Sequence, residues 1–328
     1  MTPLRHRLRR LWIALGLLAA ATPGLAGGFD AAIKNNALAL SPDGTIAVAA
    51  NSDEPEVLVY DVAGSRLRQR LQGFTTPRNV VFSPDGGRFY VSDSGTGRVT
   101  AFETATGREA GIIAAGPGAF GTALSADGRR LYVNNQAAST VAVFDTATLR
   151  AEAVITGFAQ PRQGVRLSPD GGTLFVTNFL GDRITLVDTA SNKIAGEITG
   201  FDKLRAISVS ADGATLYAAN SGRNTVSVVD VAGRRITGEV PVGKDPYGAA
   251  LTPDGLHVYS GNLGDNSLSV IDTRTHAVVA TVTGLDQPRQ AIVFSPDGAR
   301  VLVLNRDLSV AVVDRASNRV TSTLRPSP

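Results

Sequence analysis

The chain has 328 residues, 43% of them apolar and 19% charged, with a formal net charge of +3, a balance that excludes a disordered or polyacidic chain. It has no cysteine, which rules out disulfides, thiolate-bound metal, c-type haem and cysteine nucleophiles. Four of its 32 basic residues stand among the first ten positions, and without them 28 basic residues face 29 acidic ones, so global charge gives no reason to expect a polyanionic partner.

Those four, Arg5, Arg7, Arg9 and Arg10, precede an apolar run over 11–21, and Gly24-Leu25-Ala26 offers small residues for cleavage. This pattern predicts a secretory signal over 1–26, a cut before Gly27 and a periplasmic protein. The apolar run is about half of the ~20 residues a membrane span needs, so no span is expected. Arg9-Arg10 leaves general and twin-arginine export both open. A linker over 27–34 then leads into a repetitive region over 35–325, and 326–328 is a tail.

The repeat opens with a Ser-Pro-Asp-Gly-like tetrad at Ser41, Ser83, Ser125, Ser168, Ser210, Thr252 and Ser295, at spacings of 42, 42, 43, 42, 42 and 43. Ten residues on comes Asn or Asp (Asn51, Asp93, Asn135, Asn178, Asn220, Asn262, Asn305), and about twenty residues on an acid (Asp61, Glu103, Asp145, Asp188, Asp230, Asp272, Asp314). Between these landmarks lie four short β-branched or alternating runs, in the third unit GTAL, RLYVNN, TVAVFD and AEAVIT, which predict four antiparallel strands. The tetrad supplies a fixed φ, a side-chain acceptor and a glycine for positive φ, and so a tight turn. One such sheet cannot bury both faces, and seven stacked in a ring leave no long open edge. The predicted fold is all-β: a seven-bladed β-propeller of four-stranded antiparallel blades, each contiguous in sequence, with room for one extra strand from 28–34.

The segments Leu131-Tyr132-Val133-Asn134-Asn135, Phe175-Val176-Thr177-Asn178 and Tyr90-Val91-Ser92-Asp93 each follow the turn and lead to a strand ending in Asp or Glu. They resemble the YVTN-repeat β-propeller family over 35–325. No repeat ends in Trp-Asp, and Trp12 is the only tryptophan. The resemblance implies the company of surface-layer proteins and YncE-like periplasmic proteins, single-stranded DNA binding being described for the latter type. It fixes no activity, because propellers host unrelated functions.

In such a ring the tetrad turns share one end, and the loops that lead into the innermost strands converge on the other. The start of the innermost strand reads Asn36, Arg78, Phe120, Arg162, Arg205, Tyr247 and Arg289 through the seven blades. Forked guanidinium donors suit carboxylates and phosphates and stack on flat rings, so these seven are the candidate ligand-binding residues. Two readings stand: an anion trap at the channel mouth, or arginines neutralised by loop acids such as Asp286, Asp202 and Asp53. Arg166 is a candidate channel residue, since its equivalents are Ala39, Val81, Ala123, Ser208, Ala250 and Val293; its guanidinium either enters the channel or reaches outward to solvent. The Asn/Asp landmark and the turn aspartates are read as structural.

Catalytic signals are sparse. His257 and His276 accompany no motif, which leaves no histidine triad or multi-histidine metal site, and the missing tryptophans argue against a quinone-dependent dehydrogenase. Asp53, Glu54 and Glu56 form either a calcium-binding loop or a solvated acidic face. No catalytic residue, metal or cofactor is assigned. The expected product is a monomeric, non-catalytic binder of a protein, an envelope component or another anionic ligand. The alternatives are a lactonase-like hydrolase working at the funnel, or a single-stranded nucleic-acid binder using the arginines with Phe120, Tyr247 and Phe179.

Overall fold

The tetrad performs the turn its residues dictate. In blade two the Ser83 hydroxyl donates to Asp85 at 2.5 Å and accepts the Arg88 amide at 2.9 Å, while the Gly87 amide donates to Asp85 at 2.9 Å. Gly86 takes φ 70°, a region where a side chain is strained. The same serine or threonine to aspartate bond recurs in every blade. In the six serine-led tetrads the hydroxyl first, and the amide after it, hold the aspartate carboxyl below its usual range.

The computed structural model describes residues 34–327; the expected signal segment, and all of the expected linker but Lys34, lie outside them. Seven four-stranded antiparallel sheets follow one another, each a sequence-contiguous meander. Blade three, for example, runs Ala119–Leu124, Arg130–Asn135, Thr140–Asp145 and Ala151–Ile155. Second strands are buried on both faces, as in Leu131 to Asn135, whereas fourth strands alternate or face solvent. The chain is therefore the predicted seven-bladed propeller. Among the described residues no helix is long and apolar enough to cross a membrane.

Seven apolar clusters fill the seven interfaces between neighbouring blades. The cluster that closes the ring packs Leu38, Ala49 and Tyr60 of blade one on Leu302, Leu304 and Val310 of blade seven. There Tyr60 Oη donates to the Leu308 carbonyl at 2.6 Å and Asn51 Nδ2 to that of Arg306 at 3.1 Å. Side-chain packing closes the ring, and no described strand is shared between blades seven and one.

Two innermost strands are shorter than the repeat suggests: Ala250–Leu251 in blade six and Ile292–Phe294 in blade seven. Pro246 keeps only an isolated bridge to Asn262, and a Cβ on Gly261 would stand 2.1 Å from the Arg289 carbonyl oxygen. The chain there runs too close to blade six for regular pairing. Tyr247 and Arg289, expected at strand starts, consequently lie in the loops before them.

Candidate functional site

Strand register decides where the candidate residues point. In blade two Pro77 pairs with Asp93 and Asn79 with Ser92, which leaves Arg78 as an extra residue. Blades three and five repeat this irregularity around Phe120 and Arg205, and blade four inserts more chain between Pro161 and Val165. Such bulges re-aim side chains without ending the sheet. Three are stitched to the blade before: Asn35 Nδ2 donates to the Arg78 carbonyl, Ser92 Oγ to that of Phe120 and Asn134 Nδ2 to that of Arg162. Blade one pairs evenly from Asn36–Asn51 to Leu40–Ala47. Without a bulge, Asn36 turns its side chain away from the mouth and Asn35 lines it instead.

The four arginines have different environments. Arg78 is fully buried; its Nε donates to Ser94 Oγ at 2.7 Å, an Nη to Asn35 Oδ1 at 2.9 Å, and its guanidinium lies 4.7 Å from the Phe120 ring centre. It is a latch between blades one, two and three rather than a surface cation, and Phe120, 1% exposed, is its platform. Arg205 copies the first contact, with Nε donating to Ser221 Oγ at 3.0 Å, and stacks 4.5 Å from the Tyr247 ring centre. Arg162 cannot: the residue after its blade's landmark is Phe179 where blades two and five have Ser94 and Ser221. Its guanidinium stacks on that ring at 3.6 Å, and its buried Nε has no acceptor among the described residues. Burial first, and then the Arg205 charge, push Arg162 down to about 10. Arg289 donates to the Lys34 carbonyl at 2.6 Å and lies 5.3 Å from the Tyr247 ring centre, but it faces a polar groove with Asn36, Asp53 and Arg306 between blades seven and one.

Loop acids do not neutralise the three accessible arginines. Asp53 holds Lys34 at 3.1 Å, and among the described residues Arg162, Arg205 and Arg289 form no ion pair. Of the acidic loop, Asp53 is taken by Lys34 and Glu56 by Arg70 at 2.5 Å. The described residues hold no group of three or more His, Cys, Asp or Glu placed for a metal.

The mouth is thus bounded by Lys34, Asn35, Arg162, Arg205 and Tyr247, with a floor of two glutamines. Gln290 Nε2 donates to Gln163 Oε1 at 2.8 Å, and Gln163 Nε2 donates to the Asn36 carbonyl at 3.1 Å, so blades four, seven and one meet across the axis. This crossbar was missed from sequence, although a signal existed. Blades four and seven share Pro-Arg-Gln, and six positions separate Arg162 from Ser168 and Arg289 from Ser295, where five separate Arg78 from Ser83. Above the crossbar the cavity is about 30 Å³, space for roughly two water molecules. Arg166, on the other side, lines the channel. The surrounding protein holds its guanidinium below the ordinary arginine range even though it faces the lumen.

Comparison with known proteins places this geometry in context. Residues 202–317 match the YNCE-like beta-propeller family, and residues 37–199 match the family described as lactonase, 7-bladed beta-propeller. The resemblance read from the repeats to YncE-like propellers therefore stands. No curated protein matches the sequence. Among solved structures, Kuenenia stuttgartiensis hydrazine synthase superposes with a TM-score of 0.76 over 85% of this chain and 95% of that one, at 21% identity; at that identity the likeness is one of fold.

Proposed function

We propose that this YncE-like propeller is an exported, non-catalytic binding protein that grips an anionic end group of a protein segment or envelope component at its funnel mouth. The observation that carries the reading is the Arg162–Arg205 pair: two neighbouring guanidiniums without a carboxylate partner, one with an orphaned buried Nε. Like charges held this close are costly and a bound anion relieves them. The cavity of about 30 Å³ is well below the ~300 Å³ of a site that engulfs a small-molecule substrate, so it suits a carboxylate or phosphate tip whose remainder lies on the rim.

The test is calorimetric titration with an acidic hexapeptide and its Asn/Gln counterpart. The acidic form should bind more tightly, and R162Q/R205Q should lower its affinity by at least roughly tenfold, each lost charge-assisted bond contributing about 1.5–3 kcal/mol. F179S should return the hydroxyl that blades two and five possess, tie back the Arg162 Nε and weaken binding severalfold. An R162Q/R205Q isotherm superimposable on the parent's would overturn the assignment. The match of residues 37–199 to the lactonase family supports a second reading, hydrolysis at the same mouth. Turnover in a lactone screen that disappears in R162Q/R205Q would favour it. A single-stranded nucleic-acid ligand would instead show an affinity falling steeply with salt.

A further inference from the structure

The mouth does not end at its own rim. Lys34 and Asn35 are wall to both the mouth and the groove between blades seven and one, so the second cavity begins where the first stops. The mouth, at about 30 Å³, takes the tip of one side chain, whereas the groove, at about 230 Å³, has room for a whole second side chain. Tyr247 stands between them. Its amide donates to the Gly261 carbonyl at 2.8 Å and its carbonyl accepts the Ala206 amide at 3.3 Å, which pins its backbone to blades six and five. Arg205 of the mouth lies 4.5 Å and Arg289 of the groove 5.3 Å from the centre of its ring. Each is also held by a hydrogen bond, Arg205 Nε to Ser221 Oγ at 3.0 Å and Arg289 Nη1 to the Lys34 carbonyl at 2.6 Å. The two guanidiniums are thus ordered in advance, which lowers the entropy lost on binding, and their carbons can be no further apart than the sum of the two ring distances. Among the described residues no acid lines the mouth, and Asp53, the one acid lining the groove, is held by Lys34 at 3.1 Å. In an extended peptide, residues two apart lie on one face roughly 6–7 Å from each other, neighbours point to opposite faces, and residues four apart are separated by about 13 Å. Of these, the two-residue spacing is the one that two guanidiniums on a shared ring can meet.

We infer, resting on the reading of the mouth as an anion grip, that mouth and groove form one bipartite site for an extended acidic peptide segment with carboxylates at alternate positions. The first carboxylate sits with Arg162 and Arg205, and the one two residues along meets Arg289, with Arg306 at the exposed end of the groove. Tyr247 is the positioning residue that sets the interval between the two.

The test is calorimetric titration of the full chain with three capped hexapeptides of serine and alanine, each carrying two aspartates that are adjacent, alternate or four apart. Their charge is equal, so long-range attraction is the same for all three and any difference reads the spacing. The alternate peptide should bind roughly tenfold or more tightly than the other two, through one added charge-assisted contact. R289Q should bring the three affinities together. Y247L should do the same and Y247F should keep the preference, an outcome that a general loss of packing does not produce. R162Q/R205Q should weaken all three. Should R289Q not fold, R306Q takes its place and should reduce the preference severalfold. Three isotherms that agree in the parent, or a preference that R289Q and Y247L leave intact, would overturn the inference. If the three bind alike and R162Q/R205Q still weakens them, the mouth reading stands and the bipartite site alone falls; if none binds, both fall.

Discussion

Arg78 and Arg162 occupy the same repeat position, yet their replacement should have opposite consequences. R78A removes a buried guanidinium that donates to Ser94 and Asn35 and lies over Phe120. A hydrogen bond from a charged group contributes about 1.5–3 kcal/mol and a cation–π contact roughly 0.5 kcal/mol or more. The loss should therefore be at least about 3 kcal/mol, with Ser94 and Asn35 left unsatisfied in the interior. At roughly 2.1 cal/mol/K of unfolding entropy per residue, a chain of this size would melt lower by about 5 °C or more. R162A removes a charge that already lacks a carboxylate partner and faces Arg205, and should change stability by less than about 1 kcal/mol in either direction. Urea unfolding followed by circular dichroism, with constant m-values, separates the two. If R78A melted within about 2 °C of the parent while abolishing acidic-peptide binding, Arg78 would be a ligand group and the latch assignment would be wrong.

Acid should unfold the ring partly through its turns. Burial pulls the Asp254 carboxyl upward, but the Thr252 hydroxyl, the Leu256 amide and Arg315 outweigh it and hold the group at about 2. A carboxyl whose folded value lies below its unfolded value of 3.8 contributes stability that is complete above that value and is lost as pH falls toward 2. D254N should flatten the decline of melting temperature between pH 4 and 2, and an unchanged slope would remove Asp254 from the explanation. G261A should destabilise by about 1–3 kcal/mol, because its methyl group would meet the Arg289 carbonyl oxygen at 2.1 Å; a parent-like urea midpoint would show that the Pro288–Arg289 segment yields freely.

Blade number, strand order and turn chemistry were legible because each depends on local residues that recur seven times: the tetrad hydroxyl and carboxylate make the same bonds wherever they occur. The Asn/Asp landmark is structural, as its recurrence implies, and its bonds reach beyond its own strand. Asn178 and Asn220 accept amides of Ala159 and Asp202 in the loops that lead into their blades, which fixes those loops. The site was legible only as a set of positions. Whether the Nε of an arginine there is anchored depends on the residue after the landmark of the second strand, some 16 positions away, where Ser94 and Ser221 accept it and Phe179 does not. That is a tertiary pairing, absent from any single repeat. The crossbar likewise joins residues 127 apart.

Because among the described residues each blade is complete in itself and the ring is sealed by side chains rather than a shared strand, a nascent chain of one to six blades carries two uncovered apolar flanks, one at each end of the stack. Its leading flank stays unprotected until the seventh sheet is synthesised and reaches the first. During that interval the complementary flank of another copy is an equally good mate, so intermolecular rings are the characteristic misassembly of this architecture. Their yield should rise with concentration during refolding and fall once closure has outrun encounter.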